Sequence, residues 1–267
     1  MSRRTTVLAC LVTSSLLTLA VATPAAAAVE ASTVDYVAMG DSFASGVGAP
    51  GQVGLCLRSP VSYAAQWAKK NDPASFRMLA CSGAETRDVQ LLQLPFLSRN
   101  TDLITLSIGG NDAGFAPSVI SCTVGSESAC ADTVRDAQEV ISGTLPAALD
   151  RTYQMIKTKA PKAKVYVMGY PRLFDESNAY CGIAGLSITK RRLLNEGADD
   201  LAGVIAGRAE AAGFTYVDVR DRFDGHGACA TNPWINPLTV IPPQNSFHPN
   251  ASGYTSGYLP AFTAALN

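Results

Sequence analysis

Hydrophobic residues along the chain form short, nearly continuous runs, and these alternate with longer stretches of helical periodicity. Five of the runs predict strands, at 34–39, 76–79, 102–108, 164–168 and 214–219, and all but the second contain several β-branched residues. The third and fourth runs are almost wholly apolar, which is typical of strands in a parallel sheet that is covered on both faces. The pattern therefore predicts a parallel sheet buried between helices.

The stretches between the runs carry apolar residues at helical spacing and predict four helical segments. They cover 59–70, 132–159, 189–212 and 251–266. Pro146 breaks or bends the second segment, or starts a new helix near it, whereas Gly213 and Asn250 stand where a C-terminal and an N-terminal cap are expected. Strands that alternate with helices indicate βαβ units, so we expect an α/β fold with a doubly wound sheet.

Short polar and glycine-rich sequences follow three of the predicted strands. They are Gly-Asp-Ser at 40–42, Cys-Ser-Gly at 81–83 and Gly-Gly-Asn-Asp at 109–112. In a doubly wound sheet, ligands bind beyond the carboxyl ends of the strands. We therefore expect the chemistry of the protein to lie at these three turns.

The first 28 residues have the organisation of a secretory signal peptide. A basic start, with Arg3 and Arg4, precedes an apolar run at 7–21 and a small-residue sequence that ends at Ala28. The apolar run is shorter than the ~20 residues that a transmembrane helix needs, and no later run is long enough. We expect export of the protein, cleavage near Ala28 and one domain over 29–267, because no repeat, linker or shift in composition divides that part.

Charge and cysteine content exclude some classes of function. The chain has 21 Lys and Arg against 22 Asp and Glu, without long runs of one sign, so nothing favours binding to nucleic acid. Of the seven cysteines, Cys10 lies in the predicted signal peptide, and the other six predict disulfides in an exported chain. The sequence leaves their connectivity open, although the short loop from Cys122 to Cys130 is compatible with closure. No Cys-x-x-Cys pair occurs, so no metal site is expected.

Ser42 and His248 are the candidate nucleophile and base. A serine between a strand and a helix is exposed at the sheet edge, and its hydroxyl needs an adjacent base to attack. Histidine suits proton transfer near neutral pH, and residues 29–267 contain only His226 and His248. The alternative interpretations are a turn that simply starts a helix and a histidine with a surface or capping role. We interpret His226 as a loop residue near Cys229.

Gly83 and Asn111 are candidates for holding the negative charge that develops on an oxygen atom when a nucleophile attacks. The backbone N–H of Gly83 and the side-chain amide of Asn111 can each donate a hydrogen bond to such an oxyanion. One donor of this kind lowers the barrier by about 3–4 kcal/mol. Each sequence is also typical of a simple turn, because Gly, Asn and Asp dominate turns.

The order of these sequences resembles that of the SGNH/GDSL hydrolase family. Gly-Asp-Ser-Phe at 40–43, Cys-Ser-Gly-Ala at 81–84, Gly-Gly-Asn-Asp at 109–112 and Ser-Phe-His-Pro at 246–249 occur in the order of that family. The similarity extends over nearly all of 29–267 and is greatest to secreted actinobacterial lipases and esterases. It implies a three-layer, flavodoxin-like α/β fold with a central parallel sheet of about five strands flanked by helices.

The resemblance also implies roles for individual residues. Ser42 would be the nucleophile and His248 its base. The backbone N–H groups of Ser42 and Gly83 and the side chain of Asn111 would form the oxyanion hole. The disulfides would pair Cys56 with Cys81, Cys122 with Cys130 and Cys181 with Cys229. The family chemistry implies no metal and no cofactor.

One position departs from the pattern of the family. Most members have Asp three residues before the histidine, where this chain has Asn245. The Nδ1–H of His248 needs only an acceptor to fix its tautomer, so we expect a Ser–His dyad. The expected acceptor is the main-chain or side-chain oxygen of Asn245. Asp41 should point away from Ser42, and we interpret it as a turn-forming or supporting residue.

These observations predict a secreted, monomeric serine hydrolase that cleaves carboxylic esters, namely acylglycerols and similar fatty-acid esters. Acyl chains would lie in an apolar groove shaped by loops at 49–58 and 115–131. A phospholipase A-type activity and a carbohydrate-ester deacetylase are variants of the same chemistry, and the deacetylase would need an open polar cleft. A secreted peptidase would share the nucleophile chemistry. A non-catalytic binding module is disfavoured, because Ser42, Asn111 and His248 are all present.

Overall fold

Five parallel strands form the centre of the computed structural model, which describes residues 33–179, 181 and 186–267. They are β1 (Asp35–Gly40), β2 (Ser75–Met78), β3 (Leu103–Ser107), β4 (Lys164–Met168) and β5 (Thr215–Val217). Each lies within two residues of a predicted strand. The predicted signal peptide and its cleavage site lie outside the described residues.

The strands are ordered β2-β1-β3-β4-β5, and all neighbouring pairs are parallel. This is the flavodoxin-like order, in which the chain reverses its direction of winding between β1 and β3. The central strand β3 is buried at every position, as its apolar sequence requires. The predicted α/β, three-layer fold with a parallel sheet flanked by helices is therefore confirmed. The switch between β1 and β3 places their carboxyl ends side by side.

Helices connect and flank the strands. In chain order they are α1 (Ser42–Ser45), α2 (Tyr63–Asn71), α3 (Thr86–Asp88), α4 (Phe115–Val124), α5 (Glu127–Gly143), α6 (Leu145–Lys159), α7 (Ile188–Ala211), α8 (Arg220–Phe223) and α9 (Leu259–Ala265). Short π-helical or 3₁₀ turns cover Val89–Gln93, Leu94–Phe96, Pro243–Asn245 and Gly253–Tyr258. Serine side chains accept backbone N–H groups at the starts of α2, α5 and α7, which satisfies donors that would otherwise be unpaired.

Two predicted helical segments differ in detail from the structure. The segment 132–159 is divided into α5 and α6, and Pro146 lies in the first turn of α6, where its missing N–H costs nothing. The segment 251–266 begins with a π-helical turn before α9, and the Asn250 side chain accepts the N–H of Gly253 at 3.0 Å. The region 115–131 was expected to be a loop, yet it forms α4 and the start of α5.

Aromatic side chains join α2 and α9 to the sheet. The ring of Tyr36, on β1, lies 5.2 Å from that of Trp67 on α2 and 6.1 Å from that of Phe262 on α9. Burying a large aromatic side chain contributes roughly 2–3 kcal/mol from its apolar surface alone. This cluster therefore fixes the helices near β1, and with them the turn that follows β1.

Three disulfides cross-link the described residues. They join Cys56 to Cys81, Cys122 to Cys130, and Cys181 to Cys229, over sequence separations of 25, 8 and 48 residues. These are the pairs that the resemblance implies. The described residues belong to one compact unit by their internal contacts. Where the chain is described, no helix combines the length and the apolar character that a bilayer span needs.

Candidate active site

Ser42 lies in the turn between β1 and α1, at the carboxyl edge of the sheet. Gly40 permits this turn, because its φ is +118° and a Cβ there would lie 2.1 Å from the carbonyl oxygen of Ser107. Asp41 caps α1 by accepting the backbone N–H of Phe43 at 3.0 Å. The cap makes Ser42 the first residue of the helix, and its side chain faces a pocket.

His248 contacts Ser42 although the two are 206 residues apart in sequence. Its Nε2 lies 2.8 Å from Oγ of Ser42, and its Nδ1 lies 3.0 Å from the carbonyl oxygen of Ser246. A carbonyl oxygen can only accept, so Nδ1 carries the proton of the neutral imidazole. Nε2 then has its lone pair directed at the hydroxyl of Ser42, which is the geometry of a nucleophile with its general base.

Asn245 does not orient the imidazole, and that prediction is corrected here to the carbonyl of Ser246. The side-chain oxygen of Asn245 accepts from Gln52 at 2.8 Å, and its main-chain oxygen accepts the backbone N–H of His248 at 3.3 Å. The physical reason lies in the backbone. Phe247 has a φ of +60°, and this left-handed residue folds the ring of His248 back onto the carbonyl two residues earlier.

Burial keeps the imidazole neutral. Loss of hydration lowers the pKa of His248 from its ordinary 6.5 to about 4, while hydrogen bonds to the carbonyls of Ser246 and Gln244 raise it in part. A histidine with this pKa is unprotonated across the neutral range. It is therefore ready to take a proton from Ser42 without first losing one to solvent.

Three predicted hydrogen-bond donors line the pocket beside the hydroxyl of Ser42. The backbone N–H groups of Ser42 and Gly83 have no acceptor among the described residues. One N–H of the Asn111 side chain donates to the carbonyl of Ala84 at 2.9 Å, which fixes the amide and leaves its second hydrogen for a ligand. The structure thus brings together the groups that the sequence suggested for an oxyanion hole.

The loop that carries Gly83 is held by the Cys56–Cys81 disulfide. The backbone N–H of Ser82 donates to the carbonyl of Cys56 at 3.2 Å, and the guanidinium of Arg58 donates to the carbonyl of Ala80 at 2.9 Å. Gly83 itself has a φ of +79°, a conformation that favours glycine. These contacts hold its N–H in place before any ligand binds.

Tyr170 was not predicted from the sequence as a site residue, yet its side chain links the turn of Asp41 to the turn of Gly110. Its hydroxyl donates to the carboxylate of Asp41 at 2.5 Å and accepts the backbone N–H of Gly110 at 3.3 Å. Burial raises the pKa of Asp41 to about 7, and the hydrogen bond from Tyr170 is the strongest of the effects that lower it. A signal was available, since Tyr170 follows β4 at the same sheet edge as the three turns. Asp41 is turn-forming, as expected.

The pocket beside Ser42 has a volume of about 380 Å³ and is lined mainly by apolar side chains. Its apolar residues include Phe115, Val119, Ile120, Leu173, Leu201 and Leu238. Region 115–131 contributes to the lining as predicted, but as helix α4 and not as a loop. The other predicted loop, 49–58, contributes no lining residue.

The second histidine lies elsewhere. The ring of His226 is stacked on Trp234 with 3.8 Å between ring centroids, and its Nδ1 bonds the carbonyl of Asn232 at 2.8 Å. Neither ring lines the pocket of Ser42. Across residues 33–179, 181 and 186–267, no group of three or more His, Cys, Asp or Glu is placed to hold a metal ion.

Comparisons with known proteins give one consistent result. Residues 38–255 match the model of the GDSL-like Lipase/Acylhydrolase family. The chain is 42% identical to a lipase of Streptomyces rimosus over 99% of both chains. It also resembles the crystal structures of a phospholipase A1 from Streptomyces albidoflavus NA297 and of an extracellular lipase from Streptomyces rimosus. The phospholipase A1 structure has a TM-score of 0.84 and 42% identity, and the match covers 88% of this chain and all of that chain. The lipase structure has a TM-score of 0.84 and 44% identity, and the match covers 87% of this chain and all of that chain.

Proposed function

The chain belongs to the GDSL-like Lipase/Acylhydrolase family and is a carboxylic ester hydrolase, and from that premise we propose that it is a secreted lipase acting through a Ser42–His248 dyad. The observation that carries the proposal is the chain of two hydrogen bonds from Ser42 through His248 to the carbonyl of Ser246. It supplies a nucleophile, a base and a group that orients the base.

In the first step, Oγ of Ser42 attacks the ester carbonyl carbon while Nε2 of His248 removes the hydroxyl proton. The imidazolium that forms keeps its Nδ1–H on the carbonyl of Ser246, whose partial negative charge stabilises it. The carbonyl π electrons move to the carbonyl oxygen, which becomes the oxyanion. When that oxygen re-forms the C=O bond, the bond between the carbonyl carbon and the alkoxy oxygen breaks. The imidazolium then returns its proton to the leaving alkoxide, and an alcohol departs.

The oxyanion of the tetrahedral intermediate is held by the N–H groups of Ser42 and Gly83 and by the amide of Asn111. These donors are in place beforehand, so they stabilise the developing charge with little reorganisation. In the second half of the reaction, water attacks the acyl-enzyme with His248 again as base. The fatty acid leaves, and Ser42 recovers its proton.

The lining of the pocket supports a lipid substrate. A cavity walled by Phe115, Val119, Leu173 and Leu201 suits an acyl chain, whose burial is favourable by ~0.8 kcal/mol per methylene group. A carbohydrate deacetylase would need an open polar cleft, which this apolar pocket does not offer. A phospholipase A-type activity is the second candidate, because one of the similar crystal structures is a phospholipase A1.

Export is part of the proposal. Residues 1–28 have the sequence of a signal peptide, and three disulfides cross-link the described residues. Disulfides persist in oxidising compartments, so they are consistent with an extracellular enzyme. A similar crystal structure is that of an extracellular lipase.

The test is hydrolysis of p-nitrophenyl esters, from acetate to palmitate, by the protein over 29–267 and by Ser42→Ala. Ser82→Ala is the matched control, since Ser82 also lines the pocket but has no histidine beside its hydroxyl. We expect activity that peaks at one chain length, disappears in Ser42→Ala and persists in Ser82→Ala. Activity that survives in Ser42→Ala would contradict the dyad.

Two further measurements separate the alternatives. Regiospecific release of fatty acid from phosphatidylcholine and from triacylglycerol distinguishes a phospholipase from a lipase. Absence of hydrolysis with every ester, in folded and oxidised protein, would instead favour a non-catalytic binding module. Hydrolysis of peptides in place of esters would identify a peptidase.

A further inference from the structure

Helix α4 carries apolar residues on its solvent-exposed face. Ala116, Ile120 and Val124 recur at intervals of four, so they form one stripe along the helix, and all three are exposed. Ile120 is 63% exposed and Val124 is 81% exposed. A surface helix normally presents charged or polar residues to solvent, and α4 contains no charged residue.

A second exposed apolar segment lies between β5 and the turn that carries His248. In this segment Leu238 is 49% exposed, Val240 is 80% exposed and Ile241 is 86% exposed. Prolines flank these residues on both sides, and residues 231–250 contain no Asp, Glu, Lys or Arg. Together with Ile120 and Val124, these three residues define the apolar rim.

The apolar rim is continuous with the pocket of Ser42. Ile120 and Leu238 both line that pocket and are also exposed to solvent, so each belongs to the pocket and to the outer surface. Val124, Val240 and Ile241 extend the apolar surface away from the pocket and do not line it. Exposed apolar patches of this kind mark sites of interaction with a protein or a lipid phase.

The position of the rim selects between these partners. A protein bound over Ile120 and Leu238 would close the pocket through which an ester must reach Ser42. A lipid phase would instead present acyl chains to the opening. The absence of Lys and Arg from α4 and from 231–250 matches a lipid surface without net charge, because binding to anionic lipid relies on basic residues.

We propose that the apolar rim docks the enzyme on the surface of assembled neutral or zwitterionic lipid, so that the pocket opens directly into the acyl region. This inference rests on the proposed lipid-ester hydrolysis, and it adds the surface by which the substrate is reached. The exposed side chains would insert into the headgroup–acyl boundary, as the apolar faces of interfacial helices do.

The experiment measures flotation of Ser42→Ala protein with phosphatidylcholine vesicles, because this background prevents hydrolysis during binding. The rim variant adds Val124→Ser, Val240→Ser and Ile241→Ser, none of which alters a pocket-lining residue. We expect its vesicle partition coefficient to fall roughly tenfold or more. Leu91→Ser with Leu92→Ser is the matched control, since these leucines are 59% and 66% exposed but lie outside the apolar rim.

The same rim substitutions in the active enzyme separate this inference from the proposed function. We expect hydrolysis of dissolved p-nitrophenyl acetate to stay within about twofold of the parent and hydrolysis of emulsified triolein to fall about tenfold. Three outcomes would overturn the inference. They are an equal loss of activity on both substrates, equal vesicle binding by the rim variant and the parent, and vesicle binding that requires anionic phosphatidylglycerol. A parent dimer that the rim substitutions dissociate would assign the surface to a second copy. Failure of every variant and the parent on all esters would instead reject the proposed function.

Discussion

Replacing Tyr170 with Phe removes one buried hydroxyl and leaves the ring in place. The ring packs edge-on against Phe43 with centroids 5.1 Å apart, so no cavity larger than an oxygen atom is created. The hydroxyl is the donor to Asp41 and the acceptor for the N–H of Gly110. The substitution therefore tests the link between the turn that carries Ser42 and the turn that carries Asn111.

The expected cost follows from the groups left without partners. A buried polar group without a hydrogen bond costs about 1–3 kcal/mol, and the bond to the carboxyl group of Asp41 is the shorter of the two. We expect Tyr170→Phe to lower the free energy of unfolding by about 2 kcal/mol at pH 6, where Asp41 is mostly protonated.

The loss should increase as the pH rises. Asp41 has a pKa of about 7 in the folded protein against an ordinary 3.8, so the folded state holds more protons and its stability falls as pH rises from about 4 to about 7. Without the hydroxyl of Tyr170, the pKa of Asp41 rises further. The free energy of unfolding of the variant therefore continues to fall above pH 7, by up to about 1.4 kcal/mol per pH unit. The difference between parent and variant should therefore reach about 3–4 kcal/mol at pH 9.

Urea unfolding at pH 6 and pH 9, with the disulfides intact, measures this difference. Tyr153→Phe is the matched control, because the buried hydroxyl of Tyr153 has no partner among the described residues and should cost little at either pH. The kcat for p-nitrophenyl acetate should also fall by about 10- to 100-fold in Tyr170→Phe, because the two turns are no longer held in fixed positions relative to each other. A stability difference that is constant or smaller at pH 9 would refute the reasoning.

Three other outcomes follow from the structure. The acid limb of kcat/KM should lie near pH 4, because the rate falls only when His248 is protonated, and a limb near 6.5 in a pH–rate profile would contradict this. Asn111→Ala should lower kcat by about 10²–10³-fold with little change in KM in steady-state assays. Loss of the Cys181–Cys229 disulfide, which spans 48 residues, should lower the free energy of unfolding by about 4 kcal/mol. Loss of the Cys122–Cys130 disulfide, which spans 8 residues, should lower it by ~2.5 kcal/mol. Urea unfolding measures both losses, and the reverse order would refute the loop-entropy estimate.

The sheet was predictable because the strands other than β2 are short, mainly apolar runs bounded by polar turns, and the parallel order follows from the helices between the strands. Helix α4 was not, because its buried positions are Ser118, Val119, Cys122 and Thr123 whereas its exposed positions include Ile120 and Val124, so its sequence lacks the amphipathic periodicity of a surface helix. Pro117 also resembles a helix breaker, although a proline is tolerated in the first turn. The exposed apolar residues that concealed the helix are the two that α4 contributes to the apolar rim.

The site was predictable where side chains are chemically distinctive and follow strands. Ser42, Asn111 and His248 carry such groups, and the rule for doubly wound sheets places the first two at the same edge. The acceptor for the imidazole was not predictable, because it depends on the left-handed conformation of Phe247 and not on the identity of a side chain. The role of Tyr170 depends on a contact across 129 residues of sequence, which no local motif records.

The main-chain acceptor of Ser246 also has a genetic consequence. A codon change at 246 replaces the side chain, whose hydroxyl bonds the backbone of Thr239, but it cannot remove the carbonyl oxygen that holds His248. An enzyme with an acidic third member has three codons at which a missense change deletes a catalytic group. In the dyad proposed for this chain, the nucleophile and the base depend on the codons of Ser42 and His248, whereas the group that orients the base is a main-chain carbonyl set by the conformation of a turn.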